Sequence, residues 1–407
     1  MKKDNLFLNF KPAEEAVYNG TISYNEEIVK LQKSDTKTRG KYIAHLIAPS
    51  LSEDSIKYMI YTHMGRFHAD EVFSTALILL ARNTIANNDA GMLEYITSAQ
   101  IKSSVKRVKS IADITDPLDK CVVLDLLDGH YDQHHKNPKD RKDYPDYYDD
   151  TRKEEWTKPL KMATFGALWS DIGHIFDLEN VKAPNKNVWE LILVRFILPM
   201  DQQDNYGPNY YEAPISKVIS NMNTYSDFEK GSEYDNFEEL DFRFIEAVKM
   251  AYTILRNEIM SMQKLVQSVK DIKENKNVSA KYLGDVVDPY NTSMCPIYGI
   301  EISKVNEGET APIVMIEAVN ETEIECPGGS RIVHPHFIMN HNPDSRDGSY
   351  RLILGRYIKL DPKEVLEECA SLVKFIHPND GFLVSFETEE KMEKFLNEHF
   401  LDLVKFQ

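Results

Sequence analysis

The stretch YTHMGRFHADE, residues 61–71, places two histidines and two carboxylates within nine positions. Residues 56–61 before the first histidine are apolar and β-prone, which predicts a buried strand. Apolar residues after the stretch recur at helical spacing: Val72, Phe73, Ala76, Leu77 and Leu80. We therefore predict a strand-to-helix turn. Such a turn at the carboxyl end of a parallel strand is where open α/β sheets bind ligands.

The segments that follow predict an α/β fold whose sheet is doubly wound and mostly parallel. Residues 93–97 have the composition of a second strand, and Cys121–Asp125 are apolar until they end on a carboxylate. Residues 138–157 are charged and rich in tyrosine, and we predict a long loop there. Helical spacing returns at 162–169 and 188–197, so helices alternate with strands as in this fold class.

The last third of the chain predicts a second, smaller α/β domain. Residues 237–273 form one long amphipathic pattern, which predicts a helix connecting the two domains. Strands are predicted at 313–316, 350–354 and 382–386, and helices at 363–375 and 388–403. We divide the chain into an N-terminal extension at 1–55, a first domain at 56–235, and a linker helix with the C-terminal domain at 236–407.

Charge and hydropathy limit the partners of the chain. Its 65 acidic and 48 basic residues give a formal charge of -17, which argues against a general electrostatic grip on long nucleic acid. Short oligonucleotides or small phosphorylated molecules suit this charge better. The chain shows neither a signal peptide nor a run of about 18 apolar residues, and its four cysteines have no paired spacing. We expect a soluble, cytoplasmic protein without a membrane partner.

Histidines and carboxylates also follow the later predicted elements. Asp125 ends a strand, residues 130–135 add three more histidines, and Asp201 and Asp204 lie three apart, hence on one face of a helix end. Mg²⁺ takes carboxylate oxygens, Mn²⁺ also accepts imidazole, and a two-metal site needs about five to seven such groups. Singly, Asp70 fits a helix cap and Asp125 a turn residue. Together, these positions at successive strand ends predict a shared metal site.

The same motifs resemble a known family. The chain is similar to the melanocyte-proliferating-gene family in residues 62–71, in the strand ending at Asp125, and in YDQHH (131–135), KMATFG (161–166) and MDQQDN (200–205). That family looks like a branch of the DHH phosphoesterase superfamily. The resemblance, over about residues 56–405, implies a DHH-like catalytic domain, a C-terminal substrate-binding domain, two Mn²⁺ or Mg²⁺ ions and 3′–5′ exonuclease activity on RNA.

The resemblance also implies roles for individual residues. Asp125 matches the metal-bridging carboxylate, and Asp204 is favoured over Asp201 because it stands where the family has Asp-Asn-Gly. His135, oriented by Asp132, is the candidate acid that protonates the leaving oxygen. The full set of implied metal ligands is His63, His68, Asp70, Asp125, His134, Asp201 and Asp204.

Phosphate contacts are predicted from the cations near these motifs and in the C-terminal domain. Arg66, Lys161 and Arg351 would hold phosphate oxygens, although each also fits an ordinary surface cation. The chain departs from the family where Gln133 is inserted into Asp-His-His and where Ser385-Phe386 replace a glycine pair. Two alternatives therefore stay open: a small-molecule phosphodiesterase or pyrophosphatase, and a metal-binding interaction protein that has lost its hydrolytic activity.

Overall fold

The computed structural model describes residues 59–87, 95–117, 121–127, 129, 131–132, 143–148, 159–177, 187–207, 213–223, 237–274, 278–287, 294–302, 324–325, 332–333, 335–341 and 350–406. These residues divide between two compact units. The first unit comprises the described residues up to Phe176 together with Trp189–Met260, and the second comprises Asp177–Val188 and Ser261–Gln407. The three-part division predicted from the sequence stays a prediction, since residues 1–55 lie outside the described residues.

A three-stranded parallel sheet stands at the centre of the first unit. Its strands are β1 (Met59–His63), β2 (Val105–Val108) and β3 (Cys121–Val123), in the order β2-β1-β3. β1 is the middle strand and pairs with both neighbours, and its residues Ile60 and Tyr61 are fully buried. The predicted α/β class with a parallel sheet is therefore confirmed.

Helix α1 (Ala69–Asn87) follows β1 directly, as the apolar spacing predicted. All residues from Ala69 to Ala81 are buried, including the polar Ser74 and Thr75. A helix that is buried on every side lies in the interior of its unit rather than on its surface. The strand-to-helix turn is thus followed directly by a helix that is part of the core of the first unit.

Two predictions for the first unit are wrong. Residues 95–97 are not a strand; Thr97 caps a short helix, α2 (Ser98–Lys102), and the strand lies later, at β2. Thr97 and Gln100 form a capping box, in which the side chain of each residue accepts the backbone N–H of the other. Thr-x-x-Gln is a signal for the start of a helix, and here it outweighs the β-branched Ile96, which favours a strand.

The second wrong prediction is the unbroken loop at 138–157. Within it, β4 (Asp143–Tyr148) pairs with β5 (Pro159–Lys161) in an antiparallel hairpin. Its three tyrosines favour a strand, but the charged residues between them concealed the pattern. The remainder of the predicted loop lies outside the described residues.

Five further α-helices are described between residues 164 and 274. They are α3 (Thr164–Ile172), α4 (Val188–Ile192), α5 (Leu198–Tyr206), α6 (Pro214–Asn221) and α7 (Phe237–Glu274). A π-helical segment, Leu193–Ile197, joins α4 to α5 without a break. Pro199 sits in the first turn of α5, and Gly207 ends α5 with φ 83°. The predicted long helix is confirmed as α7, and the two units divide at Met260 within it.

The second unit contains a six-stranded mixed sheet. Its order is β13-β14-β11-β10-β7-β6, and the β7–β10 pair alone is parallel. The strands and helices are β6 (Val278–Val287), β7 (Met294–Ile302), β8 (Ile324–Glu325), β9 (Ile332–Val333), β10 (Phe337–His341), β11 (Tyr350–Leu354), β12 (Ile358–Leu360), α8 (Pro362–Cys369), β13 (Val373–Ile376), β14 (Leu383–Phe386), α9 (Glu389–Glu398), α10 (Phe400–Leu403) and β15 (Val404–Phe406).

One apolar core holds the helices of the second unit against this sheet. Phe337 and Phe386 from the sheet pack with Phe395 and Phe400 from the helices. The predicted strands at 350–354 and 382–386 and the helical region at 388–403 are confirmed. The predicted helix at 363–375 is wrong in its second half, because α8 ends at Cys369 and residues 373–376 form β13. The strand predicted at 313–316 lies outside the described residues.

Among the described residues, no helix combines the length and the hydropathy needed to cross a lipid bilayer.

The buried face of α1 generates a first prediction. Leu77 is fully buried in α1, so Leu77→Ala should lower the free energy of unfolding by about 2–5 kcal/mol through lost burial and a residual cavity. Leu366 is a helical leucine with 48% of its surface exposed, and Leu366→Ala is the matched control. Urea denaturation measures both, and equal losses in the two variants would contradict the assignment of α1 to the core.

Candidate metal centre

Five predicted ligands of the first unit meet at the carboxyl end of its parallel sheet. His63 is the last residue of β1, His68 directly precedes α1, and Asp70 lies in the first turn of that helix. Asp125 follows β3 and the short bridge residue Leu124. Asp204 lies in the last turn of α5. The convergence is the one that parallel strands produce at a single sheet edge.

The donor atoms of these residues form two groups that share one histidine. In the first group, one donor atom each from His63, His68 and Asp125 lie within 4.8 Å of one another. In the second, the same condition holds for His68, Asp70 and Asp204. The two imidazole rings are tilted, with centroids 5.9 Å apart. Two adjacent sets of imidazole and carboxylate donors form the arrangement expected of a binuclear Mn²⁺ or Mg²⁺ site.

The turn between β1 and α1 is shaped by its own residues. Gly65 has φ 92°, in the left-handed region that costs glycine little. The carbonyl of His68 accepts the N–H of Val72, and Glu71 accepts the N–H of His68 at 3.3 Å. Glu71 therefore supplies one half of a capping box at the start of α1. This fixes the direction in which the residues before α1 enter the helix.

Asp125 is placed by an unusual backbone. Its φ of 44° makes it the one non-glycine residue with positive φ among those described, a conformation that aspartate tolerates better than most residues. Its N–H donates to the carbonyl of Tyr131 at 2.8 Å, and the N–H of Tyr131 returns to Val123 at 3.1 Å. The chain thus folds back on itself and turns the Asp125 carboxylate towards His63.

His63 is held between carboxylates. Its Nδ1 must donate to the carbonyl of Met64, 3.0 Å away, because a carbonyl only accepts. Its Nε2 then faces Glu71, with which it forms a short ion pair, and Asp125 at 3.4 Å. Burial lowers the pKa of His63, but the charges and hydrogen bonds of Glu71 and Asp125 outweigh it and raise the pKa to about 11. Without a cation, this imidazole is therefore protonated at neutral pH.

Asp70 lies where negative charge accumulates. Burial, and then the charges of Asp125 and Asp204, raise the pKa of Asp70 well above its ordinary value. Burial also raises the pKa of Glu71, against the opposing effect of His63. Carboxylates this deeply buried and this close together repel one another, and a divalent cation would remove that repulsion. The donor set therefore fits a hard divalent metal ion.

The structure gives Asp201 a different environment from that of Asp204. Asp201 is fully buried, and its two oxygens accept the N–H of Ala163 at 2.8 Å and of Gly166 at 3.2 Å. It thereby ties α5 to the start of α3, and it belongs to neither donor group. Asp204, one turn further along α5, does belong to one. The geometry thus supports the preference for Asp204.

The other predicted residues are placed as follows. Asp132 is buried, directly after Tyr131, while His134 and His135 lie outside the described residues. Arg66 is exposed in the turn before α1, and the side chain of Lys161 is half-buried at the end of β5. Arg351 lies half-buried in β11 of the second unit. Their proposed contacts with phosphate stay predictions.

Sequence reasoning missed two residues at this site. Glu71 was read only as part of the acidic motif, although its side chain contacts Thr62, His63 and the backbone of His68. Arg107 was not singled out at all, yet it binds the carbonyls of His63 and Gly65. The residue three positions before Glu71 is His68 rather than Ser or Thr, so the usual capping-box pattern gives no signal for Glu71. Arg107 stands beside Lys106 in β2, and its partners are distant in sequence, so the sequence gives no signal that sets it apart.

Comparison with known proteins finds one family. A family model described as "Uncharacterised protein family (UPF0160)", named MYG1_exonuc, matches residues 59–285, more than half of the chain. The match includes all five residues of the two donor groups. No curated protein and no solved structure matches the chain.

The contrast between the two aspartates of α5 gives a second prediction. Asp201→Asn should lower the free energy of unfolding by about 1–3 kcal/mol, because an amide oxygen serves only one of the two buried N–H donors. Asp204→Asn should leave stability within about 0.5 kcal/mol and instead weaken Mn²⁺ binding. Urea denaturation and calorimetric titration with Mn²⁺ separate the two effects, and the reverse pattern would show that Asp201 is the ligand.

The ionisation of His63 gives a third prediction. Its pKa of about 11 means that a cation must displace a proton at neutral pH, so binding should release about one proton or more. The apparent affinity for Mn²⁺ should therefore increase as pH rises from 6 to 8. Titration in two buffers of different ionisation enthalpy counts the protons. Asp204→Asn should still release a proton, whereas a buffer-independent enthalpy in the unmutated protein would contradict the prediction.

Proposed function

Because the chain belongs to the uncharacterised protein family UPF0160, whose model is named MYG1_exonuc, we propose that it is a divalent-metal-dependent 3′–5′ exonuclease acting on RNA or short oligonucleotides. The observation that carries the proposal is the convergence of two imidazoles and three carboxylates, in two donor groups that share His68. The family name supports an exonuclease. The donor set supports metal dependence and a phosphoester substrate, as in the DHH phosphoesterase superfamily.

The proposed cation ligands each come from a different part of the first unit. His63, His68 and Asp70 are contributed by the turn between β1 and α1, Asp125 by the segment after β3, and Asp204 by α5. His134 would complete the set. When bound, two Mn²⁺ or Mg²⁺ ions supply Lewis acidity towards the phosphate and lower the pKa of the attacking water.

The remaining side chains would handle the substrate and the proton. Arg66 is exposed next to the donor groups, where its guanidinium can pair with two phosphate oxygens at once. Lys161 lies at the end of β5, where its backbone carbonyl binds Gln202 and Asn205 of α5. Arg351 would hold phosphate in the second unit. His135, oriented by Asp132, would protonate the leaving oxygen.

The charge of the chain favours short substrates. A formal charge of -17 repels the extended backbone of long nucleic acid, and that repulsion is strongest at low salt. A short oligonucleotide carries few phosphates, so local cations and bound metal ions suffice to hold it. We therefore expect turnover per nucleotide to be higher for short RNA than for long RNA.

The experiment uses the full chain, Mn²⁺ and a short RNA labelled at its 5′ end. We expect a ladder of products shortened from the 3′ end, with release of mononucleotides, and no reaction after chelation of the metal. Asp70→Asn and Asp125→Asn should each lower kcat/KM by more than about 100-fold, since loss of a ligand exceeds the 10–100-fold effect typical of groups that orient ligands.

Asp113→Asn is the control for these variants. Asp113 accepts hydrogen bonds from Ser110 at an exposed turn, and its substitution should change kcat/KM by less than about 2-fold. Hydrolysis of small dinucleotides or pyrophosphate alone would replace the proposal by a small-molecule phosphodiesterase. Metal binding without hydrolysis of any of these substrates would indicate an interaction protein.

A further inference from the structure

The turn of residues 64–68 connects the two histidines of the candidate metal centre. His63 precedes it at the end of β1, and His68 ends it at the start of α1. Gly65 gives this turn a left-handed residue with open space around it. A turn of this kind has little intrinsic rigidity. Its shape therefore depends on contacts made by other elements of the first unit.

Arg107 supplies the most extensive of these contacts. From β2, its Nε donates to the carbonyl of His63 at 3.1 Å, and its Nη2 donates to the carbonyl of Gly65 at 2.6 Å. Its Nη1 donates to Asp241 of α7 at 2.9 Å. The side chain is only 3% exposed. One guanidinium thus joins β2, the turn and α7.

Two aromatic rings pack against this guanidinium. Its central carbon lies 4.7 Å from the ring centroid of Phe244 and 5.7 Å from that of Phe67. The two rings contact each other edge to face at 5.6 Å. The planar guanidinium has a rigid fork of donors, which a lysine ammonium cannot reproduce, and both rings lie within reach of a cation–π interaction.

A second contact holds the far side of the turn. Asn223 is buried; its Oδ1 accepts the N–H of Phe67 at 3.0 Å and its Nδ2 donates to the Phe67 carbonyl at 2.7 Å. The N–H of Met64 donates to the carbonyl of Val108 at 2.8 Å. The backbone is therefore held at residues 63, 64, 65 and 67, in each case by a group from outside the turn.

We propose that Arg107 is a positioning residue for metal binding: it sets the backbone of residues 63–65 so that His63 and His68 face a shared cation. The inference rests on the proposed metal-dependent function. Arg107 touches no donor atom; it acts through the carbonyl of a ligand residue and through the turn joining the two imidazoles. Metal ligands must be held within about 0.5 Å of their productive geometry, so a freed turn should weaken cation binding.

The test compares Arg107→Met with the unmutated full chain. Methionine keeps an apolar side chain against Phe67 and Phe244 but removes all three hydrogen bonds. We expect the dissociation constant for Mn²⁺, measured by calorimetry with the metal alone, to rise about 10–100-fold, the range seen when groups that orient ligands are lost. Asp241→Asn keeps the two carbonyl bonds of Arg107 and should give a smaller rise.

Hydrogen exchange gives a second readout that needs no metal. The amides of Met64 and Phe67 are hydrogen-bonded, and in Arg107→Met both should exchange at least about 10-fold faster while those of β1 stay protected. Arg107→Lys should restore little of either property, because the fork geometry is lost. Should Arg107→Met fail to fold, Asp241→Asn and Arg107→Lys carry the same comparison.

Lys281→Met is the matched control. Lys281 forms a half-buried ion pair with Glu393 in the second unit, so its loss should lower stability without changing Mn²⁺ affinity. The inference would be overturned if the Arg107→Met variant bound Mn²⁺ as tightly as the unmutated chain and differed from it only in a lower unfolding temperature. An unmutated chain that binds no Mn²⁺ would overturn the proposed function instead, and hydrogen exchange alone would then decide whether Arg107 orders the turn.

Discussion

Mutual repulsion among buried carboxylates is the constraint on which the first unit depends. Asp70 is almost completely buried, and Asp125, Asp204 and Glu71 all raise its pKa. Charges in such a place are stable only when a positive partner is near. His63 fills that role in the metal-free chain, since its Nε2 faces both Glu71 and Asp125. A divalent cation bound by His63 and Asp125 would lie where the proton on His63 now lies. The proton and the metal ion therefore compete for the same imidazole nitrogen.

The fold meets this constraint by fixing the backbone that carries the ligands. Asp125 turns inward because its own backbone is left-handed. The turn after β1 is fixed by a guanidinium and an amide that bind its carbonyls and N–H groups. Asp201 binds two backbone N–H groups and so ties the helix carrying Asp204 to α3. The backbone near His63, His68 and Asp204 is therefore held by neighbours that do not themselves need to touch a metal ion.

Much of this arrangement could be predicted from the sequence, because it follows from local periodicity. The apolar run before residue 62 and the helical spacing after residue 71 predict the strand and the buried helix on either side of the turn, and parallel topology then brings Asp125 to the same edge. The capping box at Thr97 was missed because the neighbouring β-branched Ile96 favours a strand. The strand at 143–148 was missed because charged residues lie between its tyrosines. The role of Arg107 is invisible in sequence because its partners lie 42 to 134 positions away.

The π-helical segment Leu193–Ile197 joins α4 to α5, the helix that carries Asp201 and Asp204. A π turn closes its hydrogen bonds from residue i to residue i+5, so it holds one residue more than an α turn. In a regular α-helix an extra residue would rotate everything after it by about 100°. Because the π turn takes up the additional residue within one wider turn, α5 stays in phase with α4, with Asp201 bound to the start of α3 and Asp204 beside His68. The winding of this segment is thus as much a part of the centre as the side chains themselves, and an insertion that it could not take up would be more damaging than most substitutions.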